Sequence, residues 1–252
     1  MSLTLTGARS ELGSLLAQQT TRGSVHINVA GQQANTLLHD GHAWKTFEKT
    51  ALAGARRAMR TEAKLLVHAS FAMVLGEPKR DPLRSLAEVA LECERLVLSG
   101  PVPTCVVRLG YLYGPSSRDL RAYRTAFRLG RPYWAGARDA LQYHLYDADA
   151  VAALLAAGKA RNAGKVFYAT DGHPLPFMQF MDDFARKLGR RFPLHVPRIA
   201  TPFIKPIVRK EHMQQCDLVM PAKAPTPGVP GWKPRVTDYK KGQDQVIASW
   251  ST

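Results

Sequence analysis

A glycine turn near the N-terminus is the first stretch whose residue types could do chemistry. The segment TGARSELG carries Gly7, Ser10 and Gly13 between a short apolar run, residues 2–6, and an apolar helical pattern. Glycines between a strand and a helix let the backbone approach a phosphate group, and the start of the helix attracts its negative charge. The spacing therefore predicts a turn that holds the phosphates of a nucleotide.

No other group of residues has the spacing of a metal or catalytic centre. The cysteines are far apart in the sequence and match no metal-binding pattern. They are Cys93, Cys105 and Cys216, which we interpret as buried thiols in a reducing compartment. The histidines on or beside predicted strands are expected to be core residues rather than ligands. They are His26, His68 and His144.

Strands and helices alternate along most of the chain. The predicted strands cover residues 2–6, 24–30, 64–70, 104–114 and 165–170. The predicted helices cover residues 11–19, 44–60, 85–98, 147–158 and 176–189, with Asp147 as a helix cap. This order predicts an α/β protein with a Rossmann-type, doubly wound parallel sheet. We place this domain at residues 1–170, and a small C-terminal lobe at 171–252, where prolines recur from Phe192 onwards.

The charge balance indicates an anionic partner. The net charge is +15, which favours nucleic acid, anionic lipid or acidic protein subunits. The basic residues are dispersed and form no stripe with interleaved aromatic residues, so nucleic acid is the less favoured partner. Residues 193–210 are apolar, broken by prolines and flanked by basic residues. This composition fits a segment that lies on a bilayer surface or in a groove of a partner protein, and it fits equally an ordinary segment of a substrate-binding lobe. No apolar run approaches the roughly 20 residues that would span a membrane.

Several motifs, in this order, resemble the extended and atypical short-chain dehydrogenases, the epimerase/dehydratase superfamily. They include TGARSELG, VHINVAG, VVRLGYLYGP and YHLYDADAVAALL, and the resemblance covers nearly the whole chain. Residues 108–115 and Asp147 carry most of its specificity. The resemblance implies a Rossmann-type fold that binds NAD(P). It also implies contacts to the cofactor from Gly7, Ser10, Gly13, Ala30 and Gly31.

The N-terminal half departs from the family pattern in two ways. Ser10 stands where the family has the middle glycine of its turn, so a β-carbon occupies a place where the backbone approaches phosphate. Gly13 and Val25 are only 12 positions apart, which leaves room for one helix instead of the family's two further strands. The sheet is therefore expected to be shortened, without its adenosine half. A right-handed connection would then move the first helix to the other face, which leaves the topology of residues 14–44 open.

The catalytic positions of the family hold apolar residues. Proton transfer there needs a tyrosine and, one helical turn later, a lysine that lowers its pKa. When Glu94 is aligned with a glutamate that often follows this pair, Leu86 takes the place of the tyrosine and Ala90 that of the lysine. Phe71 takes the place of the family serine, and Ala51 that of the asparagine. We therefore predict no catalytic residue at these positions and expect no catalysis by the chain alone.

Three hypotheses about function follow. The first is a non-catalytic accessory subunit of a large assembly, namely mitochondrial complex I, on the matrix side of the inner membrane, with NADP(H) as a structural ligand. It rests on a modest resemblance of residues 207–239 to the accessory subunit of that complex that is itself like a short-chain dehydrogenase. The second is a cytoplasmic NAD(P)-dependent epimerase or reductase with Tyr111 as a displaced acid. The third is a protein of the mitochondrial ribosome or another RNA-associated protein.

Overall fold

The computed structural model describes residues 3–19, 24–36, 41–204 and 208–250. The strands are β1 (Leu3–Thr6), β2 (Val25–Asn28), β3 (Leu65–Phe71), β4 (Thr104–Leu109), β5 (Tyr111–Tyr113), β6 (Leu141–Gln142), β7 (His144–Tyr146), β8 (Val166–Ala169) and β9 (Leu175–Pro176). The α-helices are α1 (Glu11–Ala17), α2 (Gly41–Ala58), α3 (Leu83–Leu98), α4 (Arg118–Arg128), α5 (Asp147–Ala157), α6 (Phe177–Lys187), α7 (Thr201–Ile204), α8 (Lys210–Cys216) and α9 (Tyr239–Ala248).

A five-stranded parallel sheet in the order β1-β2-β3-β4-β8 forms the centre of the molecule. Its register pairs Leu5 with Ile27, Ile27 with Val67 and Val67 with Cys105. Every residue of β2 and β3 is buried, as strands are when helices cover both faces of a parallel sheet. The predicted Rossmann-type α/β class is confirmed, and so is the shortened N-terminal half, because β2 follows β1 directly in the chain and in the sheet.

The two faces of the sheet carry separate apolar cores. On one face, Leu12 and Leu16 of α1 share a core with Ala153 and Leu154 of α5 and with alternate strand residues. On the other face, the apolar residues of α2, α3 and α6 share a second core. The side chains of successive strand residues point to opposite faces, so each strand contributes to both cores. The sheet therefore separates α1 and α5 from α2 and α3.

The connection from β1 to β2 has the opposite hand to the two connections that follow it. The connections β1 to β2, β2 to β3 and β3 to β4 all move in the same direction across the parallel sheet. However, α1 lies on one face of the sheet, while α2 and α3 lie on the other. Right-handed connections are the strong rule for such units, which assigns the uncommon left hand to β1–α1–β2. Helix α1 therefore lies on the same face of the sheet as α5. A right-handed connection would have placed α1 on the other face, with α2 and α3.

The predicted strand at residues 104–114 was wrong in its extent. It is divided at Gly110 into β4 and β5, and β5 leaves the central sheet to pair with β7. A β-carbon at Gly110 would lie 2.9 Å from the carbonyl oxygen of Tyr143, so a side chain there would collide with the neighbouring backbone. The sequence did not indicate the break at Gly110, because residues 104–114 are apolar almost throughout.

The predicted cap at Asp147 was also wrong in detail. Asp147 is the first helical residue of α5, and Tyr146 occupies the cap position. The Asp147 carboxylate accepts a hydrogen bond from the backbone N–H of Ala148 at 2.7 Å and another from the Ser116 hydroxyl at 3.3 Å. Its negative charge at the start of the helix is still favourable, because the first N–H groups of a helix carry partial positive charge.

Helix α4 was not predicted from the sequence. Ser117 caps it, since its hydroxyl accepts a hydrogen bond from the backbone N–H of Leu120 at 3.3 Å. Leu120 and Phe127 are the buried residues of this helix, and arginines cover much of the rest. Leu120, Tyr123 and Phe127 form an apolar stripe at helical spacing, so the periodic signal for this helix was present and was missed among the arginines of the segment.

The C-terminal residues pack directly on the sheet domain. Asp149, buried in the first turn of α5, accepts hydrogen bonds from the backbone N–H groups of Arg235 at 3.0 Å and Val236 at 2.9 Å. Phe180 of α6 packs edge-on against Tyr113 of β5, with 5.1 Å between the ring centroids. The division at residue 170 stays a prediction, but the segments on its two sides share one apolar core.

No helix in the part of the chain that the structure describes is both long enough and apolar enough to cross a membrane. The three cysteines are buried, as predicted, and form no disulfide. Two of the histidines have polar partners in the core. Thr4 and Thr6 lie within hydrogen-bond distance of the His26 ring, and the Asn28 amide lies 2.9 Å from Nδ1 of His68.

Candidate functional site

A cavity of about 650 Å³ lies at the carboxyl ends of β1 and β2. It forms because the segments that follow these two strands turn to opposite faces of the sheet, α1 to one and α2 to the other. Such a divergence leaves a crevice in an α/β sheet, and crevices of this kind bind ligands. The residues that line it are Leu5, Thr6, Gly7, Ala8, Arg9, Ser10, Glu11, Ala30, Gly31, Gln33, Thr36, Thr46, Thr50, Arg57, Arg118 and Asp119.

The glycine turn is shaped by close packing between β1, α1 and β2. Gly7 has a φ of +89°, and a β-carbon there would lie 2.7 Å from the backbone nitrogen of Ala30. A β-carbon at Gly13 would lie only 2.1 Å from the carbonyl oxygen of Gly7. Both positions therefore require glycine. Their absent side chains let α1 pack on the turn and leave the turn's backbone at the cavity wall.

Ser10 takes the role of a helix cap. Its hydroxyl donates a hydrogen bond to the Gly7 carbonyl at 2.8 Å and accepts one from the backbone N–H of Gly13 at 3.0 Å. The serine in place of the family glycine thus stabilises the turn and the start of α1. Four of the five predicted cofactor-contacting residues line the cavity: Gly7, Ser10, Ala30 and Gly31. Gly13 does not line the cavity and instead lies beneath the turn, against Gly7 and Ala8.

Three arginines that the sequence analysis did not select line the same cavity. Arg9 comes from the glycine turn, Arg57 from the last turn of α2 and Arg118 from the first turn of α4. The two carboxylates of the lining are already engaged. Glu11 lies 3.8 Å from the Arg118 guanidinium, and Asp119 accepts a hydrogen bond from the Thr36 hydroxyl at 3.0 Å. The cavity wall therefore favours an anionic group.

The segment after β2 covers the neighbouring strand ends. The Gln32 side chain donates a hydrogen bond to the carbonyl oxygen of Ala69 at 2.8 Å. The Asn35 amide donates to the carbonyl oxygens of Leu109 at 3.3 Å and Gly110 at 3.1 Å. Both amide side chains are fully buried, and they hold residues 32–36 across the carboxyl ends of β3 and β4. The open part of the crevice is thereby confined to β1 and β2.

An ion pair fixes the helix that would carry a catalytic pair. The Glu94 carboxylate of α3 accepts two hydrogen bonds from the Arg108 guanidinium of β4, at 2.9 Å and 2.7 Å. It also accepts one from the Ser70 hydroxyl at 2.6 Å. These contacts define the register of α3 against the sheet. One turn and two turns before Glu94, the helix presents Ala90, which is buried, and Leu86, which is half-buried.

Aromatic side chains close the space beside these positions. Phe71 at the end of β3 packs edge-on against Phe47 of α2, with 5.3 Å between the ring centroids. A β-carbon at Gly31 would lie 3.3 Å from both the Phe47 ring and the Ala51 methyl group. Within the described residues, neither Phe71 nor Leu86 and Ala90 of α3 line the cavity. Phe71, Ala51 and Ala90 are therefore buried in one apolar core, and Leu86 packs against it.

The alternative acid, Tyr111, is poorly placed for proton transfer. Its side chain is buried, and burial raises its pKa well above the usual value. Its hydroxyl has no hydrogen-bond partner among the described residues, so the structure places no base beside it. Tyr113 is also buried, and its hydroxyl also has no hydrogen-bond partner among the described residues. Its ring packs against those of Phe180 and Tyr146. Both tyrosines are core residues of β5.

Fold and cavity together define a class: a Rossmann-type protein with a crevice that favours an anionic group. No family model matches the sequence. Over 114 residues, 44% of this chain, it is 35% identical to a Streptomyces protein described as 3-diazoavenalumate denitrifying reductase. That alignment spans little more than a third, 37%, of the curated relative's length.

Solved structures extend the likeness to the whole chain. The human epimerase family protein SDR39U1, solved with NADPH, superposes with a TM-score of 0.72 at 14% identity, over 98% of this chain and 99% of that one. MoeE5 in complex with UDP-glucose and NAD gives 0.70 at 16% identity, over 100% and 99%. RMD from Pseudomonas aeruginosa, complexed with NADPH, gives 0.66 at 16% identity over both full chains. At these identities the likeness shows the fold alone, and this chain shares the Rossmann-type fold of these proteins.

The residues present fit one part of a dinucleotide and not the whole. The turn backbone between Gly7 and Ser10, with Arg9 and Arg57, would hold a diphosphate. The side of the crevice toward Phe71 is filled by aromatic rings, and the central sheet as described has no strand beyond β1. We therefore derive no reaction step through a nicotinamide ring.

We predict that removal of the Glu94 carboxylate destabilises the fold strongly. Glu94→Ala leaves the Arg108 guanidinium, only 17% exposed, without its partner, and should lower the free energy of unfolding by about 3 kcal/mol. Urea denaturation measures the loss. Glu92→Ala is the matched control on the same helix, because it breaks only an exposed pair with Arg95 and should cost under about 1 kcal/mol. Equal losses in the two variants would contradict the anchoring role of Glu94.

A second buried carboxyl lies at the end of β8. Asp171 is 3% exposed, and one of its oxygens accepts a hydrogen bond from the backbone N–H of His173 at 3.1 Å. The other oxygen has no partner among the described residues. Burial raises the pKa of Asp171 from 3.8 to about 7. A protonated carboxyl is therefore favoured in the folded protein below neutral pH.

We predict that Asp171 makes the protein less stable as pH rises. Its folded pKa exceeds its unfolded pKa, so its contribution to stability is full below pH 3.8 and is lost as pH rises to about 7. Asp171→Asn removes the charge and keeps an oxygen for the His173 N–H. The variant should gain about 4 kcal/mol over the wild type at pH 8 relative to pH 4, because the folded and unfolded pKa values of Asp171 differ by about 3, at about 1.4 kcal/mol for each pKa unit. Urea titrations at both pH values test this, with the exposed Asp139→Asn as control, and an unchanged difference would refute it.

Proposed function

We propose that this protein binds a nucleotide in the β1–β2 crevice and does not catalyse the proton transfer of the epimerase/dehydratase family. One observation carries the proposal. The Glu94–Arg108 pair fixes α3 against the sheet, and in that register the residues at the family's catalytic tyrosine and lysine positions are Leu86 and Ala90. Neither side chain can exchange a proton. The neighbours solved with NADPH or NAD support nucleotide binding.

Nucleotide binding without turnover is the first test. We expect saturable binding of a nucleotide to the purified protein by calorimetry, and weaker binding to Arg57→Ala, because Arg57 lines the cavity. We expect no oxidation of NADPH, followed by its absorbance, with aldehyde, ketone or nucleotide-sugar substrates. Arg56→Ala is the matched control, since the neighbouring Arg56 lies on α2 outside the cavity. Steady NADPH oxidation would contradict the proposal.

A reductase is the second candidate. The 35% identity to 3-diazoavenalumate denitrifying reductase over 114 residues favours it. Such an activity would need an acid other than those of the family, and Tyr111 is the side chain that the sequence singles out. Turnover that is lost in Tyr111→Phe would support this candidate, and full turnover in that variant would remove Tyr111 from the mechanism.

We further propose that the protein works as an accessory subunit of a larger assembly, with mitochondrial complex I on the matrix side of the inner membrane as the leading candidate. Two surface properties support an assembly. The net charge is +15, and the proline-broken segment exposes large apolar side chains. Leu194 is 49% exposed, Ile199 is 88% exposed and Phe203 is 81% exposed. Residues 205–207 of the segment lie outside the described residues.

We expect the protein to co-migrate with a membrane respiratory complex. Extraction from its own cells in mild detergent, native electrophoresis and mass spectrometry of co-migrating chains test this. A double variant, Ile199→Asp with Phe203→Asp, should lose co-migration, because charged groups oppose an apolar contact. Leu155→Asp on α5, where the leucine is 39% exposed, is the control and should co-migrate normally. A free monomer would contradict the accessory role, and co-migration with ribosomal chains would replace it by the RNA-associated one.

A further inference from the structure

The cavity is open on one side of the glycine turn and closed on the other. On its open side, β1 is the edge strand, and no described strand pairs beyond it. In a doubly wound sheet, the strand beyond β1 carries the acidic residue that binds the adenosine ribose of a dinucleotide. Here β2 lies on the opposite side of β1, toward β3. The sheet as described offers no ribose-binding acid at that place.

The closed side lies toward β3 and β4. Residues 32–36 cross the carboxyl ends of these strands, held by the buried side chains of Gln32 and Asn35. Phe71 and Phe47 pack together behind them. A second nucleoside that extends in this direction from the glycine turn would collide with buried side chains. The crevice therefore has room for a ligand that is shorter than a dinucleotide.

The lining of the crevice divides into a charged part and a hydroxyl-bearing part. Arg9 and Arg57 line the cavity from two elements, the glycine turn and α2, and neither has an ion-pair partner within the described residues. Guanidinium groups beside turn backbone bind phosphate oxygens. Thr46 and Thr50, one turn apart on α2, line the same cavity. Hydroxyl groups on one helix face suit the ribose hydroxyls or the base edge of a single nucleoside.

We infer that the crevice takes a nucleoside diphosphate, with its diphosphate on the glycine turn, Arg9 and Arg57, and its single nucleoside against Thr46 and Thr50 of α2. This inference rests on the proposed nucleotide binding and narrows its ligand class. This class differs from the ligand class of the structural neighbours, whose crevices were solved with NADPH or NAD.

Calorimetric titration of the full chain with ADP, UDP, inorganic pyrophosphate and NADP⁺ tests the inference. We expect ADP or UDP to bind at least about tenfold more tightly than both NADP⁺ and pyrophosphate. Arg57→Ala should weaken nucleoside diphosphate binding about tenfold, as expected for loss of one charge-assisted contact. Arg56→Ala should leave it unchanged. Thr50→Val should weaken binding of the nucleoside diphosphate but not of pyrophosphate.

The outcomes separate this inference from the proposed function. Tighter binding of NADP⁺ than of either nucleoside diphosphate would overturn the inference and leave nucleotide binding intact. Pyrophosphate binding as tight as ADP and UDP would overturn the nucleoside part of the site. No binding of any of the four would overturn both proposals. Thermal unfolding of each variant confirms that it folds, and Arg57→Gln, which keeps a polar side chain of similar length, replaces Arg57→Ala if the latter does not.

Discussion

The placement of α1 and α2 on opposite faces of the parallel sheet is the constraint on which the site depends. If α1 followed the usual right-handed rule after the shortened connection, it would lie on the same face as α2, and the ends of β1 and β2 would not diverge. The apolar residues Leu12 and Leu16 hold α1 against α5, within the core of the other face. Burial of these side chains stabilises the face that the helix occupies, each by about 2 kcal/mol, and so maintains the crevice.

A second constraint fixes α3 against the sheet. Glu94, Arg108 and Ser70 form a buried polar cluster in which both oxygens of the carboxylate are bound. Buried charges need such complete pairing, because an unpaired charge in the core costs several kcal/mol. The cluster holds α3 in the position that a catalytic helix would take. Its neighbours Leu86, Ala90 and Phe71 pack as core residues, so packing alone accounts for their side chains.

Most of the fold could be predicted from the sequence, because its strongest signals are local. The apolar runs gave the five strands of the sheet, and the helical periodicity gave α2, α3, α5 and α6 within a few residues of their ends. The glycine turn also follows from residue type and spacing. Two features were missed. Helix α4 has an apolar stripe, Leu120, Tyr123 and Phe127, that was overlooked among its arginines, and the break at Gly110 depends on contact with Tyr143, which is distant in sequence.

The arginines of the site could not be predicted for a related reason. Arg9, Arg57 and Arg118 come from three elements, and only the tertiary fold brings them to one cavity. In a chain with 35 basic residues, no sequence pattern distinguishes these three from the arginines of the solvated surface. The hand of the first connection is equally non-local, since it depends on which core receives Leu12 and Leu16. Ala90 shows the consequence for chemistry: it is 2% exposed, so a lysine placed there would be buried, and the Glu94 carboxylate one turn away is already bound by Arg108 and Ser70. Phe71, which packs on Phe47 at the closed side of the crevice, belongs to the same apolar core as Ala90, so this side of α3 and the closed side of the crevice are one packing arrangement.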